Sequence, residues 1–99
     1  MPLVNLSCYS DQMEDYPKLT EAVSLVLKRL REDGGLSKRK LAELSSIDRV
    51  YLLQLEQGKY RPTLNSIFFL AEAFGMPAAR LVDLIEQEQR VLKNLSEDG

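Results

Sequence analysis

A repeated helix-capping pattern in the middle of the chain restricts the fold more than any other feature of the sequence. Ser37 and Asp48 stand eleven residues apart, and each is preceded by an apolar residue and followed four positions later by a leucine. Ser and Asp accept hydrogen bonds from the first free N–H groups of a helix, and the two flanking apolar residues can pack against each other. The pattern therefore predicts two short helices joined by residues 45–47, and Gly58 is expected to end the second.

Apolar residues at helical spacing predict further helices on both sides of this pair. Thr20 and Thr63 are the expected N-caps of these helices, and Gly34-Gly35 and Gly75 are the expected ends. The apolar face of the earlier helix consists of Val23, Val26, Leu27 and Leu30. The apolar stripe of the later helix consists of Leu64, Ile67, Phe68, Ala71 and Phe74.

A last helix opens at Pro77 and carries an apolar stripe that is longer than one small domain needs. The stripe consists of Leu81, Leu84, Ile85, Val91, Leu92 and Leu95. An apolar stripe that extends beyond the core of its own domain needs another surface to pack against. A second copy of the chain is the simplest source of such a surface. Phe69 in the preceding helix is a further candidate for this dimerisation contact. Packing of the stripe on the apolar residues near the N-terminus is the alternative, and these are Leu3, Val4 and Leu6.

The beginning of the chain differs from the rest. Residues 1–17 show no helical period, and residues 3–9 alternate loosely enough to predict a short strand within an N-terminal arm. The expected organisation is therefore an arm over residues 1–17, a helical domain over residues 18–86, and a C-terminal helical extension and tail over residues 87–99.

Composition excludes several classes of function. The chain has no histidine and a single cysteine, Cys8, which leaves no donor set for a zinc site and no histidine-based catalytic arrangement. Gly34-Gly35 lacks the Lys-Ser/Thr ending of a phosphate-binding loop. We therefore predict that the protein is not an enzyme and uses no metal and no cofactor. No apolar run approaches the roughly 20 residues of a membrane span, and no secretory signal is visible, so a cytoplasmic location is expected.

Charge is distributed unevenly along the chain. Residues 18–62 contain ten Lys and Arg and six Asp and Glu, a net charge of +4, whereas the remaining segments contain three bases and nine acids, a net charge of −6. A basic middle segment favours a surface for phosphate groups even though the whole chain is slightly acidic. A mixed, solvated surface is the alternative reading of the charges alone.

Several spaced positions in this basic segment and just after it form one pattern: Leu41-Ala42-Glu43, Ser46-Ile47-Asp48, Leu52, Leu55-Glu56-Gln57-Gly58-Lys59, Pro62 and Leu64. The pattern resembles the Cro/C1-type (XRE) helix-turn-helix DNA-binding domains of phage repressors and small bacterial regulators. This resemblance implies an all-α, five-helix domain with an N-terminal arm and an extended C-terminal helix. The start of the second motif helix, Asp48-Arg49-x-Tyr51, resembles the corresponding segment of the controller proteins of restriction–modification systems. Ser46 and Leu53 depart from the glycine and the small polar residue that the family often has there.

A recognition helix in the major groove presents its N-terminal residues and one outward stripe to the base edges. With Leu52 and Leu55 turned to the core, the residues predicted to read bases are Arg49, Val50, Tyr51, Leu53 and Gln54. Arg49 is the strongest candidate, because a guanidinium can make two hydrogen bonds to guanine, worth about 1–3 kcal/mol against a wrong base. An ion pair with Asp48 or a phosphate contact is the alternative for Arg49.

Other residues gain expected roles from the resemblance. Contacts to DNA phosphates, which position a protein without specifying sequence, are expected from Lys38, Gln57, Lys59, Tyr60 and Arg61. Arg39 and Lys40 are read as ordinary surface charges. Arg31 and Glu56 are expected to form a structural ion pair between the end of the first helix and the end of the recognition helix.

We therefore predict a sequence-specific transcriptional regulator that binds double-stranded DNA at an inverted-repeat operator as a homodimer. One motif contacts too few base pairs for specific binding, whereas two copies related by a twofold axis suffice. A controller of a restriction–modification system is the narrowest form of this prediction, with RNA polymerase as a candidate partner. Two alternatives stay open: an antitoxin that also binds a toxin, and a protein-interaction adaptor that does not bind DNA.

Overall fold

The computed structural model describes the backbone of residues 16–98 and the side chains of residues 16–96. Within residues 16–98 the chain forms five helices and no strand, which confirms the all-α prediction. The helices are α1 Leu19–Asp33, α2 Lys38–Ser45, α3 Arg49–Glu56, α4 Leu64–Ala73 and α5 Ala78–Asp98. The strand predicted over residues 3–9, Cys8, and most of the arm lie outside the described residues.

The short-range signals set most of the helix boundaries. Ser37, Asp48 and Thr63 each accept a hydrogen bond from a backbone N–H in the first turn of the following helix, as the sequence predicts. Thr20 was the wrong N-cap for α1, because the helix already starts at Leu19 and Lys18 occupies the cap position without a side-chain hydrogen bond. The backbone N–H groups in the first turn of α1 therefore receive no hydrogen bond acceptor from a capping side chain.

One core joins all five helices. Each helix contributes at least one fully buried leucine, and these are Leu27, Leu41, Leu52, Leu55, Leu70 and Leu81. Helix α1 packs against α3 and α5, α2 packs against α3 and α4, and α4 packs against α5. The motif helices α2 and α3 thus pack on α4 and α1, respectively, and both of these helices pack on α5.

Helix α5 packs along α1 for much of its length. Leu81 and Ile85 are 0% and 5% exposed in the core, so their assignment to a dimer surface is corrected. Leu84 and Leu92 are half-buried against the same core. Between these two leucines, Glu88 pairs with Arg29 of α1 at 2.7 Å. These contacts occupy most of the stripe that the sequence analysis assigned to a second copy.

The N-terminal side of the domain is held by the same helix. Gln89 of α5 is buried and donates a hydrogen bond of 3.0 Å to the carbonyl oxygen of Pro17. The domain boundary expected at residue 86 therefore falls inside α5, and the helix continues to pack against the domain beyond it. Of the expected dimerisation residues, those that stay exposed are Phe69, Val91 and Leu95.

Helix α4 turns a different face to the core than the sequence suggests. Its buried positions are Ser66, Ile67, Leu70 and Ala71. Leu64 and Phe68, which the predicted stripe placed in the core, are 71% and 59% exposed, and this part of the prediction is wrong. The helix is apolar on most of its circumference, so periodicity alone does not identify the side that packs.

The turn between α2 and α3 contains a residue under backbone strain. Ser46 has a φ of 58°, in the left-handed region, and its N–H bonds back to the end of α2. A residue with a Cβ atom is disfavoured in this conformation by roughly 1–2 kcal/mol, whereas glycine is not. The strain is the local cost of the tight reversal between the two motif helices.

We expect Ser46→Gly to raise the free energy of unfolding by up to about 1 kcal/mol, because relief of the strain exceeds the extra entropy of glycine in the unfolded chain. Chemical denaturation monitored by circular dichroism measures the change. Ser46→Ala is the matched control, since it removes the hydroxyl but keeps the Cβ atom, and it should bring no gain. A glycine variant less stable than the parent chain would show that Ser46 is not strained.

Candidate nucleic-acid interface

The first turn of α3 is built by the cap that precedes it. The carboxylate of Asp48 accepts hydrogen bonds from the backbone N–H groups of Val50 at 3.0 Å and Tyr51 at 3.2 Å. Both bonds use the same carboxylate oxygen, and the negative charge lies at the positive end of the helix dipole. The N-terminal turn of α3 is therefore held in helical geometry on the outside of the molecule.

Helix α3 has one buried and one open side. Leu52, Leu55 and Glu56 are buried, while Arg49 and Val50 are exposed, Val50 to 60%. Leu53 and Gln54 are half-buried between the two sides. Four of the five residues predicted to read bases thus lie on the open or intermediate side of one helix, where a ligand can approach them.

A groove between α2 and α3 brings three cationic side chains together. It has a volume of about 240 Å³ and is lined by Lys38, Arg39, Arg49 and Leu53. Arg39 had been read as an ordinary surface charge, and its place beside Arg49 was not predicted. Arg39 also pairs with Glu43 at 3.5 Å, but both side chains are largely exposed. The packing of α2 on α3 brings the starts of the two helices together. Residue spacing within a single helix does not predict which side chains of a neighbouring helix lie close to it.

Tyr51 is the exception among the predicted base-reading residues. Its hydroxyl accepts hydrogen bonds from the backbone N–H of Thr63 at 3.3 Å and from the Ser66 hydroxyl at 3.4 Å. The ring therefore extends from α3 toward the beginning of α4, at the flank of the open side.

The loop after α3 carries most of the expected phosphate contacts. Gln57, Lys59, Tyr60 and Arg61 are all exposed in this loop. Gly58 makes the reversal with a φ of +73°, and a Cβ atom there would come within 3.8 Å of Ser24 of α1. The loop thus leaves α3 close to α1 and carries its polar side chains past the end of the recognition helix.

A bidentate ion pair joins the ends of α1 and α3. The guanidinium of Arg31 donates to the two carboxylate oxygens of Glu56 at 2.7 and 3.0 Å, and it also donates to the carbonyl oxygen of Leu36 at 2.9 Å. Glu56 is 3% exposed. The hydroxyl of Ser24 donates to the carbonyl oxygen of Glu56, so both the side chain and the backbone of Glu56 are bonded to α1.

The guanidinium of Arg31 stays positively charged at neutral pH. Its hydrogen bond to Glu56 raises the pKa of Arg31 above its usual value, and this effect outweighs burial, which lowers the pKa. A basic group whose pKa is raised on folding stabilises the fold at pH values below its ordinary pKa. The contribution of Arg31 is therefore constant throughout the neutral range, and the pair acts as a fixed structural link.

The fold and this motif match a known family. A helix-turn-helix family model, HTH_3, matches residues 27–81, which are more than half of the chain and include all of α2, α3 and α4. The chain belongs to the HTH_3 helix-turn-helix family. This confirms the resemblance to Cro/C1-type domains. Among residues 16–98, no helix combines the length and the apolar character that crossing a bilayer requires.

Individual relatives extend the comparison. The chain is 32% identical over 66 residues to an immunity repressor protein of Bacillus phage phi105, covering 64% of this chain and 46% of that repressor. It therefore spans less than half of the length of this relative. In structure it is similar to the clp gene regulator ClgR of Corynebacterium glutamicum, with a TM-score of 0.71, 28% identity and coverage of 85% of this chain and 88% of that one.

A controller protein is also among the structural relatives. The restriction–modification controller protein C.AhdI of Aeromonas hydrophila aligns with a TM-score of 0.60 and 35% identity. The alignment covers 98% of the controller protein and 67% of this chain. The shared part is therefore nearly the whole of that protein, whereas a third of this chain has no counterpart in it.

We expect Glu56→Ala to lower the free energy of unfolding by about 3–5 kcal/mol, because it leaves the guanidinium of Arg31 in a largely buried site without its partner. Thermal and chemical denaturation measure the loss. Glu43→Ala is the matched control: it breaks the exposed pair with Arg39 and should cost less than about 1 kcal/mol. Equal losses in the two variants would refute a structural role for the buried pair.

Proposed function

We propose that this protein is a transcriptional regulator that recognises a specific sequence in double-stranded DNA and binds an inverted-repeat operator as a homodimer. The observation that supports this most is the geometry of α3, whose buried side anchors the helix while Arg49 and Val50 remain exposed at its first turn. A helix held in this way enters the major groove with its N-terminal residues toward the bases. The family membership and the names of its regulator relatives support the same proposal.

Base recognition is assigned to the open side of α3. Arg49 is the proposed guanine contact, Gln54 suits adenine, and Val50 and Leu53 suit the methyl group of thymine. Phosphate contacts are assigned to the start of α2 and to the loop after α3, where the exposed side chains are Lys38, Gln57, Lys59, Tyr60 and Arg61. Arg39 joins this set because it lines the same groove as Lys38 and Arg49.

Dimerisation is assigned to an apolar patch on α4 and α5, formed by Leu64, Phe68 and Val82. These side chains are 71%, 59% and 46% exposed. Leu64 and Val82 line one groove together with Leu19 of α1 and Pro62. Clustered large apolar side chains at a surface are typical of protein contact sites. A second copy is the partner that an inverted-repeat operator requires, because its twofold axis matches a symmetric pair.

The controller of a restriction–modification system is the narrower form of the proposal. It is supported by the similarity to C.AhdI, which extends over nearly that whole protein, and by Arg49 and Tyr51 at the start of α3. A regulator of this kind works in the cytoplasm and acts by occupying its operator. It needs no catalytic group, and RNA polymerase is then a candidate partner at a neighbouring promoter.

We expect the protein to bind random duplex DNA with an affinity that falls steeply as salt concentration rises, because each neutralised phosphate releases counterions. In selection from a random DNA pool, Arg49→Ala should lose the preference for guanine at one position per half-site, a cost of about 1–3 kcal/mol. Lys59→Ala should instead reduce the salt slope by about one unit per protomer without changing the selected sequence.

Lys93→Ala is the control for these variants, because Lys93 is an exposed cation on α5, outside the motif. It should change neither the selected sequence nor the salt slope. Absence of salt-dependent binding to any duplex would contradict the proposed function and would favour an adaptor that does not bind DNA.

Dimerisation is tested separately by analytical ultracentrifugation without DNA. We expect Leu64→Ser/Phe68→Ser to shift the protein from dimer to monomer, because the substitutions remove apolar area from the patch. Val91→Ser/Leu95→Ser is the matched variant at the other exposed apolar site on α5, and it should leave the dimer intact. The reverse result would place the contact at the end of α5.

A further inference from the structure

The side chain of Tyr51 links α3 to the start of α4, the helix that follows the loop after α3. Its hydroxyl oxygen is 3.3 Å from the backbone nitrogen of Thr63 and 3.4 Å from the hydroxyl oxygen of Ser66, which are 12 and 15 residues further along the chain. Ser66 is buried, and Tyr51 is half-buried. The link therefore spans from the first turn of α3 to the first turn of α4.

At the α4 end, the Tyr51 hydroxyl joins the group of atoms that starts the helix. Thr63 caps α4 by accepting a hydrogen bond from the backbone N–H of Ser66 at 3.0 Å, and the two hydroxyls lie 2.9 Å apart. Tyr51 thus contacts the cap itself and not a mobile side chain further along. A rigid ring with a polar tip fits such a connection, because it loses little conformational entropy when it is ordered.

At the α3 end, Tyr51 is bonded to the other cap. Its backbone N–H donates to the carboxylate of Asp48 at 3.2 Å, the same oxygen that holds Val50. Tyr51 is therefore held between the caps of two helices. Helix α3 packs on α1 and α2 through its buried side. The tyrosine adds a contact to α4 near the end that carries Arg49.

We propose that Tyr51 is a positioning residue for operator recognition, whose hydroxyl sets the orientation of α3 relative to α4. The inference depends on the proposed function, because α4 carries Leu64 and Phe68 of the dimerisation patch and α3 carries the base-reading residues. The relative orientation of these two helices determines the angle and separation at which a dimer presents its two recognition helices. Tyr51 therefore controls which spacing of half-sites the dimer accepts, without contacting a base.

The experiment uses the full chain and two duplexes. One is the operator obtained by selection from a random pool, and the other is the same operator with one additional base pair between its half-sites. The parent chain should prefer the first duplex. Tyr51→Phe, which removes only the hydroxyl and with it both hydrogen bonds to the start of α4, should reduce this preference by about tenfold, a change within the range expected for loss of two long hydrogen bonds in each protomer.

Ser66→Ala removes one of the two partners of the Tyr51 hydroxyl and leaves the bond from the backbone N–H of Thr63, so it should reduce the spacing preference by a smaller factor. The double variant should be no worse than Tyr51→Phe alone, because that substitution already removes both bonds. Lys93→Ala is again the control, since Lys93 is exposed on α5 and belongs neither to the motif nor to the dimerisation patch, and it should leave the preference unchanged. Melting temperatures are measured in parallel; a purely structural role would lower them but leave the ratio of the two affinities intact.

Three results would overturn the proposal. A Tyr51→Phe variant that selects different bases within the half-site but keeps the spacing preference would show a direct base contact. A double variant that loses the sum of the two single effects would show that the Tyr51 hydroxyl and Ser66 do not act through one connection. An unchanged spacing preference in Tyr51→Phe would show that the hydrogen bonds have no such role. Failure of the proposed function is recognised independently, because the parent chain itself would then bind neither duplex.

Discussion

The burial of one side of α3 is the constraint on which the rest of the structure depends. The helix has eight residues, and a helix of this length is not stable by itself in water. Its position is set by Leu52 and Leu55 in the core and by the ion pair of Glu56 with Arg31. Because these contacts occupy one side, Arg49 and Val50 are left at the surface. The packing contacts and the residues proposed to read bases thus lie on opposite sides of the same helix.

The charged residues also fall into two groups, a buried structural pair and an exposed cationic set. Arg31 and Glu56 form a buried bidentate pair that maintains the geometry of the domain. Lys38, Arg39 and Arg49 surround an open groove, where a polyanion can approach them. The net charge of the whole chain, −2, therefore says little about its ligand. The positions of the basic residues within the motif indicate the ligand better than the net charge does. The reason is that electrostatic attraction between exposed charges weakens beyond about 10 Å at moderate salt.

The sequence was most informative where a structure depends on neighbouring residues. The caps at Ser37, Asp48 and Thr63 follow from local hydrogen-bond chemistry and were predicted, as were the two short helices of the motif. Helix α4 was harder, since Leu64 and Phe68 have the same apolar character as the residues that actually pack. The roles of Tyr51, Leu81 and Ile85 depend on contacts across 12 or more residues. Periodicity within one helix carries no information about such contacts.

We propose that DNA approaches the surface formed by the starts of α2 and α3 and the loop after α3. The most direct test is titration of the isotopically labelled protein with its selected operator duplex, followed by amide chemical shifts in NMR spectra. The largest shift changes should map to residues 37–40, 48–54 and 57–61. Changes that map instead to the exposed residues of α5, with the first turn of α3 unaffected, would contradict it.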